Sequence, residues 1–275
     1  MAKIVAGLGC SHAPSIAHVY DSGAREEPGW CPLFQAFDRA RQWLARQRPD
    51  ALVVIYNDHV DSYLIDAWPT FAIGIADEYA IADEGWGPRQ FPPVPGNSGL
   101  ARHLAARVVE DSFDLVTSHR MELDHGFLSP MPLLLDEGWK VPVVPVTINV
   151  VFEPLPTPAR CWALGEAIGR AVASFPGNLR VAIIGTGGLS HQLTGPRFGE
   201  VFPKWDLRFM ETLARAPREL ASYSMDDFAR LGGEHSIEVV QWIAMRAALG
   251  ADAEMEFKFY YPYGLMGYGI AGFRV

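Results

Sequence analysis

The sequence predicts an α/β fold: a single domain with a mainly parallel or mixed central sheet flanked by helices on both faces. Three observations predict it. Short aliphatic and β-branched runs bounded by turn residues recur along the chain, and segments with apolar residues every three or four positions lie between them. With 49% apolar and 20% charged residues among 275, the chain can bury a sizeable core. Strands alternating with helices imply right-handed crossovers and a sheet covered on both sides.

The elements follow in order. A first strand is expected at 3–8, then a helix whose face is Leu33, Phe37, Ala40 and Leu44, then a second strand at 51–56. Residues 72–95, rich in Gly, Pro, Trp and acids, read as a long ordered excursion over the surface, a kind of loop that often carries function. Leu100, Leu104 and Val108 mark the next helix, and strands are expected at 115–117 and 141–146. Leu164, Ile168 and Val172 share one helical face before a strand at 180–184, and Ile237, Val240 and Ala244 mark the last helix. The stretch 257–275, with Tyr260, Tyr261, Tyr263, Tyr268 and Phe273 among glycines, suits a final strand or hairpin whose plainest role is packing at a sheet edge.

Charge and cysteine content exclude several classes of function. The 23 Lys and Arg against 32 Asp and Glu give a net charge of −9, which disfavours nucleic acid and anionic membrane surfaces. Cys10, Cys31 and Cys161 are far apart and form no CxxC pair, so a reducing, cytoplasmic setting is expected without disulfides or a cysteine zinc site. The first residues are too short an apolar run for a signal peptide, no later run reaches the length of a membrane span, and no linker divides residues 1–275.

Ligand sites in such sheets lie at the carboxyl ends of the strands, where helix dipoles converge. Three expected strands exit into a histidine: Gly9-Cys10-Ser11-His12-Ala13-Pro14, Asn57-Asp58-His59, and Gly185-Thr186-Gly187-Gly188-Leu189-Ser190-His191. Singly, each has a plainer reading, as a helix-entry residue, a solvated Asp-His pair and a turn residue. Their coincidence points to a shared site. The glycine-rich loop ends in Ser where a dinucleotide fingerprint needs Gly or Ala, so it reads as a tight turn that brings His191 and backbone N–H groups into the cleft.

The acidic candidate is Glu234 in Gly232-Gly233-Glu234-His235, although a helix-entry acid is a sufficient explanation for it. His125, in Asp124-His125-Gly126, completes the set, while His18, His103, His119 and His235 carry no chemical argument. Two histidines and a carboxylate from separate segments form the facial arrangement that holds non-haem Fe(II) with positions left open for substrate and dioxygen. A zinc-dependent amidase or esterase would use a similar ligand set, and a non-catalytic binding protein on the same fold is a third possibility.

Taken together, these five segments resemble the class III extradiol ring-cleavage dioxygenases of the protocatechuate 4,5-dioxygenase β-subunit type, and they span nearly the whole chain. The resemblance implies that His12, His59 and Glu234 ligate Fe(II), that His191 is the catalytic acid/base, that His125 assists at bound dioxygen or substrate, and that Asn57 orients the site or the substrate. It implies cleavage of a catechol-type diol such as protocatechuate or gallate, or of a dihydroxypyridine by the same chemistry. The family pairs this chain type with a small helical α subunit, so a homodimer, an α-type partner, or the 72–95 excursion is expected to cover the site. Arg89 and Lys258 could meet a substrate carboxylate, though a surface role suits each better.

Overall fold

The strand at 51–56, buried along its whole length, shows how the sheet is built. In the computed structural model, which describes residues 1–135 and 139–275, β1 (Lys3–Cys10) leads into helices α1 (Pro14–Asp21) and α2 (Cys31–Gln47), and α2 returns to β2 (Ala51–Tyr56). Strands β3 (Phe71–Gly74), β4 (Glu78–Ile81) and β5 (Val94–Pro95) precede helix α3 (Ser98–Glu110). Next come β6 (Val116–Ser118), β7 (Glu122–Leu123), the short helices α4 (His125–Leu128) and α5 (Met131–Leu134), and β8 (Val143–Ile148). Helix α6 (Pro158–Ser174), β9 (Arg180–Thr186), α7 (Pro203–Arg215), α8 (Met225–Gly232) and α9 (Val240–Ala248) follow, with 3₁₀ turns at Pro217–Ser222 and Glu234–Val239. The hairpin β10 (Glu254–Tyr263) and β11 (Met266–Arg274) ends the chain.

Eight strands form one mixed sheet in the order β10-β11-β1-β9-β2-β8-β3-β6. Its centre, β1, β9, β2 and β8, is parallel, while β11 runs antiparallel to β1 and β3 antiparallel to β8. Successive β2 side chains point to opposite faces. Leu52, Val54 and Tyr56 join a core with Leu33, Phe37, Ala40 and Leu44 of α2. Val53 and Ile55 join the opposite core, with Leu100, Leu104 and Val108 of α3 and Leu164, Ile168 and Val172 of α6. The helical faces expected from the sequence are therefore the buried ones.

Three expectations change. Residues 72–74 of the supposed surface excursion lie in β3, buried within the main sheet, so the surface portion is shorter than the composition suggested. The C-terminal hairpin lies at the sheet edge as expected, but its last strand does not form that edge. β11 is buried from Met266 to Phe273 between β10 and β1, and β10 forms the edge. A side chain at Gly272 would overlap the Phe257 ring, which explains an aromatic paired with a glycine across this hairpin. Finally, the helix expected around Ile237 begins as a 3₁₀ turn, and α9 proper starts at Val240. Helices α7 and α8 have no counterpart in the expected elements.

Among the described residues, no helix is long and apolar enough to cross a membrane. Cys10, Cys31 and Cys161 are all free.

Candidate metal centre

The parallel centre of the sheet delivers three histidines to one place, because β1, β2 and β9 are neighbours and end on the same side. His12 follows β1, His59 follows β2 and His191 follows β9. The 3₁₀ turn before α9 adds a carboxylate. His12, His59 and Glu238 present ligand-type atoms that all lie within 4.8 Å of one another.

The protonation pattern at His12 shows what this arrangement requires. The Thr186 hydroxyl donates to the Gly126 carbonyl at 2.6 Å, so toward His12 Nδ1, 3.0 Å away, it accepts. Nδ1 therefore carries the imidazole proton and Nε2 holds a lone pair. That lone pair lies 3.1 Å from a Glu238 carboxylate oxygen without forming an aligned hydrogen bond, in a residue that is 2% exposed. Burial pushes the His12 pKa down, with Glu238 opposing, which keeps the ring neutral. Two electron-rich groups held face to face in a buried site repel unless a cation lies between them.

His59 is set by Asp124. Its Nδ1 (2.9 Å) and its backbone N–H (2.6 Å) both donate to Asp124 Oδ2, while Asp124 Oδ1 caps α4 by accepting from the Gly126 N–H at 2.8 Å. Nε2 of His59 lies 3.7 Å from the second Glu238 oxygen. Burial pulls the His59 pKa down, but Asp124 and Glu238 outweigh it and raise it to about 10. Burial raises the Asp124 carboxyl, but His59 and His125 outweigh it and hold it at about 2; burial likewise opposes the Glu238 carboxylate, and His12, His59 and His191 together hold it well below the ordinary range. Two carboxylates thus favour positive charge at this point, and two imidazoles and one carboxylate form a donor set that could hold a divalent transition metal.

Glu238 is held from the other side by the glycine loop. The Gly188 N–H donates to Glu238 Oε2 at 2.7 Å. A Cβ at Gly188 would fall 2.4 Å from the His191 ring, so only glycine lets that loop pass between the two. His191 Nδ1 donates to the Leu189 carbonyl at 2.9 Å, leaving Nε2 as the free nitrogen, 3.9 Å from Glu238. This loop does what its composition predicted: it brings His191 and a backbone N–H into the cleft.

Beneath His191, buried Asp206 of α7 accepts from the Ser190 N–H (2.8 Å), the Ser190 hydroxyl (2.5 Å) and the Tyr260 hydroxyl (2.7 Å). Asp206→Ala leaves these donors without an acceptor inside the fold. It is expected to cost about 2–4 kcal/mol, read as a lower urea midpoint at unchanged slope. A midpoint within error of the parent protein would show that water or neighbours satisfy them.

Asn57 and His125 complete the surroundings. Gln241 Nε2 donates to Asn57 Oδ1 at 3.0 Å, which turns Asn57 Nδ2 to His59 Nε2 at 2.8 Å. His125 stacks on His59 with ring centres 3.8 Å apart, and its Nδ1 pairs with Glu84. The structure thus brings together His12, His59, His125, His191 and Asn57.

It does not bring Glu234 there. That side chain is exposed, bonded to the Thr194 hydroxyl, and its backbone N–H is held by Gln192. Gly233, at φ +96° and against the His191 carbonyl, turns the chain so that the carboxylate one turn later points inward. Glu238 takes the place expected for Glu234. The sequence carried a signal for this. Ile237, Val240 and Ala244 mark the core-facing stripe, and Glu238 and Gln241, three apart, lie along it as polar residues on a buried face. Asp124, which orients His59, is a further member of the site, and the His235 ring centre lies 5.3 Å from that of His191. Lys258 pairs with Glu211 at the surface, whereas Arg89, largely buried, pairs with Asp21 and donates to the Leu128 carbonyl.

Comparison with known proteins agrees with this geometry. Residues 6–273 match the family described as the catalytic LigB subunit of aromatic ring-opening dioxygenase. The chain is 43% identical to a gallate dioxygenase of Pseudomonas putida over 183 residues, covering 66% of this chain but 54% of that protein, so it spans about half the length of that relative. It is 32% identical to a 2,3-dihydroxyphenylpropionate/2,3-dihydroxicinnamic acid 1,2-dioxygenase of Rhodococcus, covering 78% of this chain and 81% of the relative. The crystal structure of an uncharacterized protein from Escherichia coli K12 superimposes with a TM-score of 0.63 at 13% identity, covering 98% of this chain and 99% of that one, which is a likeness of fold. With nearly its full length matched and ring-opening enzymes among its relatives, the chain belongs to the family of catalytic LigB subunits of aromatic ring-opening dioxygenases.

Proposed function

We propose that residues 1–275 form the catalytic unit of an Fe(II)-dependent extradiol dioxygenase that opens the ring of a catechol-type diol beside its hydroxyl groups. The observation that carries this reading is the unprotonated His12 Nε2 facing Glu238, with His59 at the same point and the free Nε2 of His191 against the same carboxylate. His12, His59 and Glu238 would hold the metal, which when bound brings diol and dioxygen together and activates both.

The rest is done by the chain. His191 Nε2 takes a proton from the entering diol, and the Leu189 carbonyl keeps the tautomer that makes this possible. Asn57 is held by Gln241 with its Nδ2 at His59 Nε2, and with a metal bound at that nitrogen the amide would be released to donate to a substrate oxygen. His125 lies alongside His59 for the second proton step, at dioxygen or at the opening ring.

Gallate and 3-(2,3-dihydroxyphenyl)propionate are the first substrates to test, since relatives bear those names; protocatechuate and a dihydroxypyridine complete the panel. Leu64, Ile65, Trp86, Phe198 and Leu265 are large apolar side chains exposed on loops, which supports a covering partner: a second copy or a small α-type subunit. Three unpaired cysteines fit a cytoplasmic enzyme.

The test is oxygen uptake by anaerobically Fe(II)-loaded protein on this panel, with yellow ring-opened product as the optical signal. Uptake with at least one diol is expected. Iron-loaded protein that consumes no oxygen with any of them, or that turns over esters with zinc in its absence, would overturn the proposal.

A further inference from the structure

The two stacked imidazoles share a design. His59 and His125 lie nearly parallel, ring centres 3.8 Å apart and planes at 29°, and each has its Nδ1 against a carboxylate. For His59 the carboxylate is Asp124, buried in the fold. For His125 it is Glu84, which comes from the surface stretch between β4 and β5, 41 residues earlier.

We propose that Glu84 is a positioning residue for His125, fixing its ring and its tautomer so that Nε2 is free at the site; this rests on the reading of the site as a dioxygenase centre. A carboxylate accepts only, so Nδ1 of His125 donates and Nε2 keeps the lone pair. The free nitrogen then belongs to a ring whose neighbours are His59 and, at 5.9 Å, His12. The pair is shielded, with side chains 15% and 23% exposed, so solvent competes weakly for Nδ1.

The stretch that carries Glu84 is itself fastened. Asp83 Oδ1 accepts from the Gly85 N–H (3.0 Å) and the Gly87 N–H (2.8 Å), which closes a tight turn around Glu84. Arg89 grips both Asp21 oxygens, at 2.7 and 2.6 Å, and donates to the Leu128 carbonyl at the end of α4, the helix that begins with His125. Its guanidinium also lies 4.7 Å from the centre of the Phe91 ring. Glu84 is therefore presented at a set distance from α4 by a loop tied to α1 and to α4 itself. Without it, the His125 ring could turn and expose either nitrogen, and proton transfer would lose its fixed geometry.

The experiment compares Glu84→Ala and Glu84→Gln with the parent protein by two readouts. In the metal-free protein, long-range ¹H–¹⁵N spectra report the tautomer of His125, assigned by the signal lost in His125→Asn. In the iron-loaded protein, steady-state kinetics with the best diol separate kcat from KM. Expected are an Nδ1–H tautomer in the parent, a mixed tautomer in Glu84→Ala, and recovery of Nδ1–H in Glu84→Gln, whose amide oxygen still accepts. Glu84→Ala should lower kcat about 10–100-fold with iron content and KM little changed, and Glu84→Gln should regain part of it. An unchanged tautomer in Glu84→Ala, parental kcat, or loss of iron from that variant would overturn the assignment. Should no diol be turned over by the parent, the spectra still decide the role of Glu84, so the two readings fail separately.

Discussion

Glu238→Ala is expected to leave the protein folded but unable to retain iron, with ring-opening activity below about 1% of the parent, whereas Glu234→Ala should keep both. The contrast is sharp because the two residues lie four apart on one turn. Glu238 faces His12 at 3.1 Å and His59 at 3.7 Å, while Glu234 is spent on Thr194 at the surface. Removing Glu238 also removes the negative charge that His12, His59 and His191 surround. The apo fold should survive this at modest cost: the variant leaves the Gly188 N–H without its acceptor but relieves the opposition between the His12 lone pair and the carboxylate. Iron content by absorption spectrometry after anaerobic loading and desalting gives the answer. Iron retained by Glu238→Ala and lost by Glu234→Ala would restore the assignment that the sequence alone suggested.

His191→Ala should have the opposite signature: iron kept, turnover lost. Its Nε2 lies 3.9 Å from Glu238, but its Nδ1 is bound to the Leu189 carbonyl, and its role is that of a base beside the metal. Loss of a positioned acid/base typically costs 10²–10⁴-fold, so kcat should fall about that far, with KM for the diol changed much less. Diol binding to the iron-loaded variant, followed as an anaerobic absorbance change, should persist. A variant that lost its iron would make His191 a ligand, and one with parental kcat would remove it from the mechanism.

Much of this site is legible in the sequence. His12, His59 and His191 stood out because each follows a strand-like run by only a few residues, and parallel strands that neighbour one another deliver their exits to one place. The role of the glycine loop could also be read, since successive small residues after a strand permit close backbone approach. What could not be read was the choice between Glu234 and Glu238. Local propensity explains an acid at the start of a helix, and Glu234 fitted that description, but the element begins as a 3₁₀ turn after Gly233 at φ +96°. Which side of that turn faces the site depends on the packing of α9 against β9 and the His191 loop, a contact between segments some forty residues apart. Glu84 was hidden for the same reason: nothing local pairs it with His125, 41 residues away.

The sequence by itself determined the α/β class, the buried helical faces and the three histidines at strand exits, because hydrophobic period and turn chemistry are properties of neighbouring residues. Tertiary structure alone decided the order β10-β11-β1-β9-β2-β8-β3-β6, the burial of β3 and β11 inside the sheet, the inward carboxylate of Glu238, and the carboxylate partners of the two stacked histidines. These depend on which distant segments share a face. That is settled by the joint burial of apolar surface and the pairing of buried polar groups, a property of the whole chain that no local window contains.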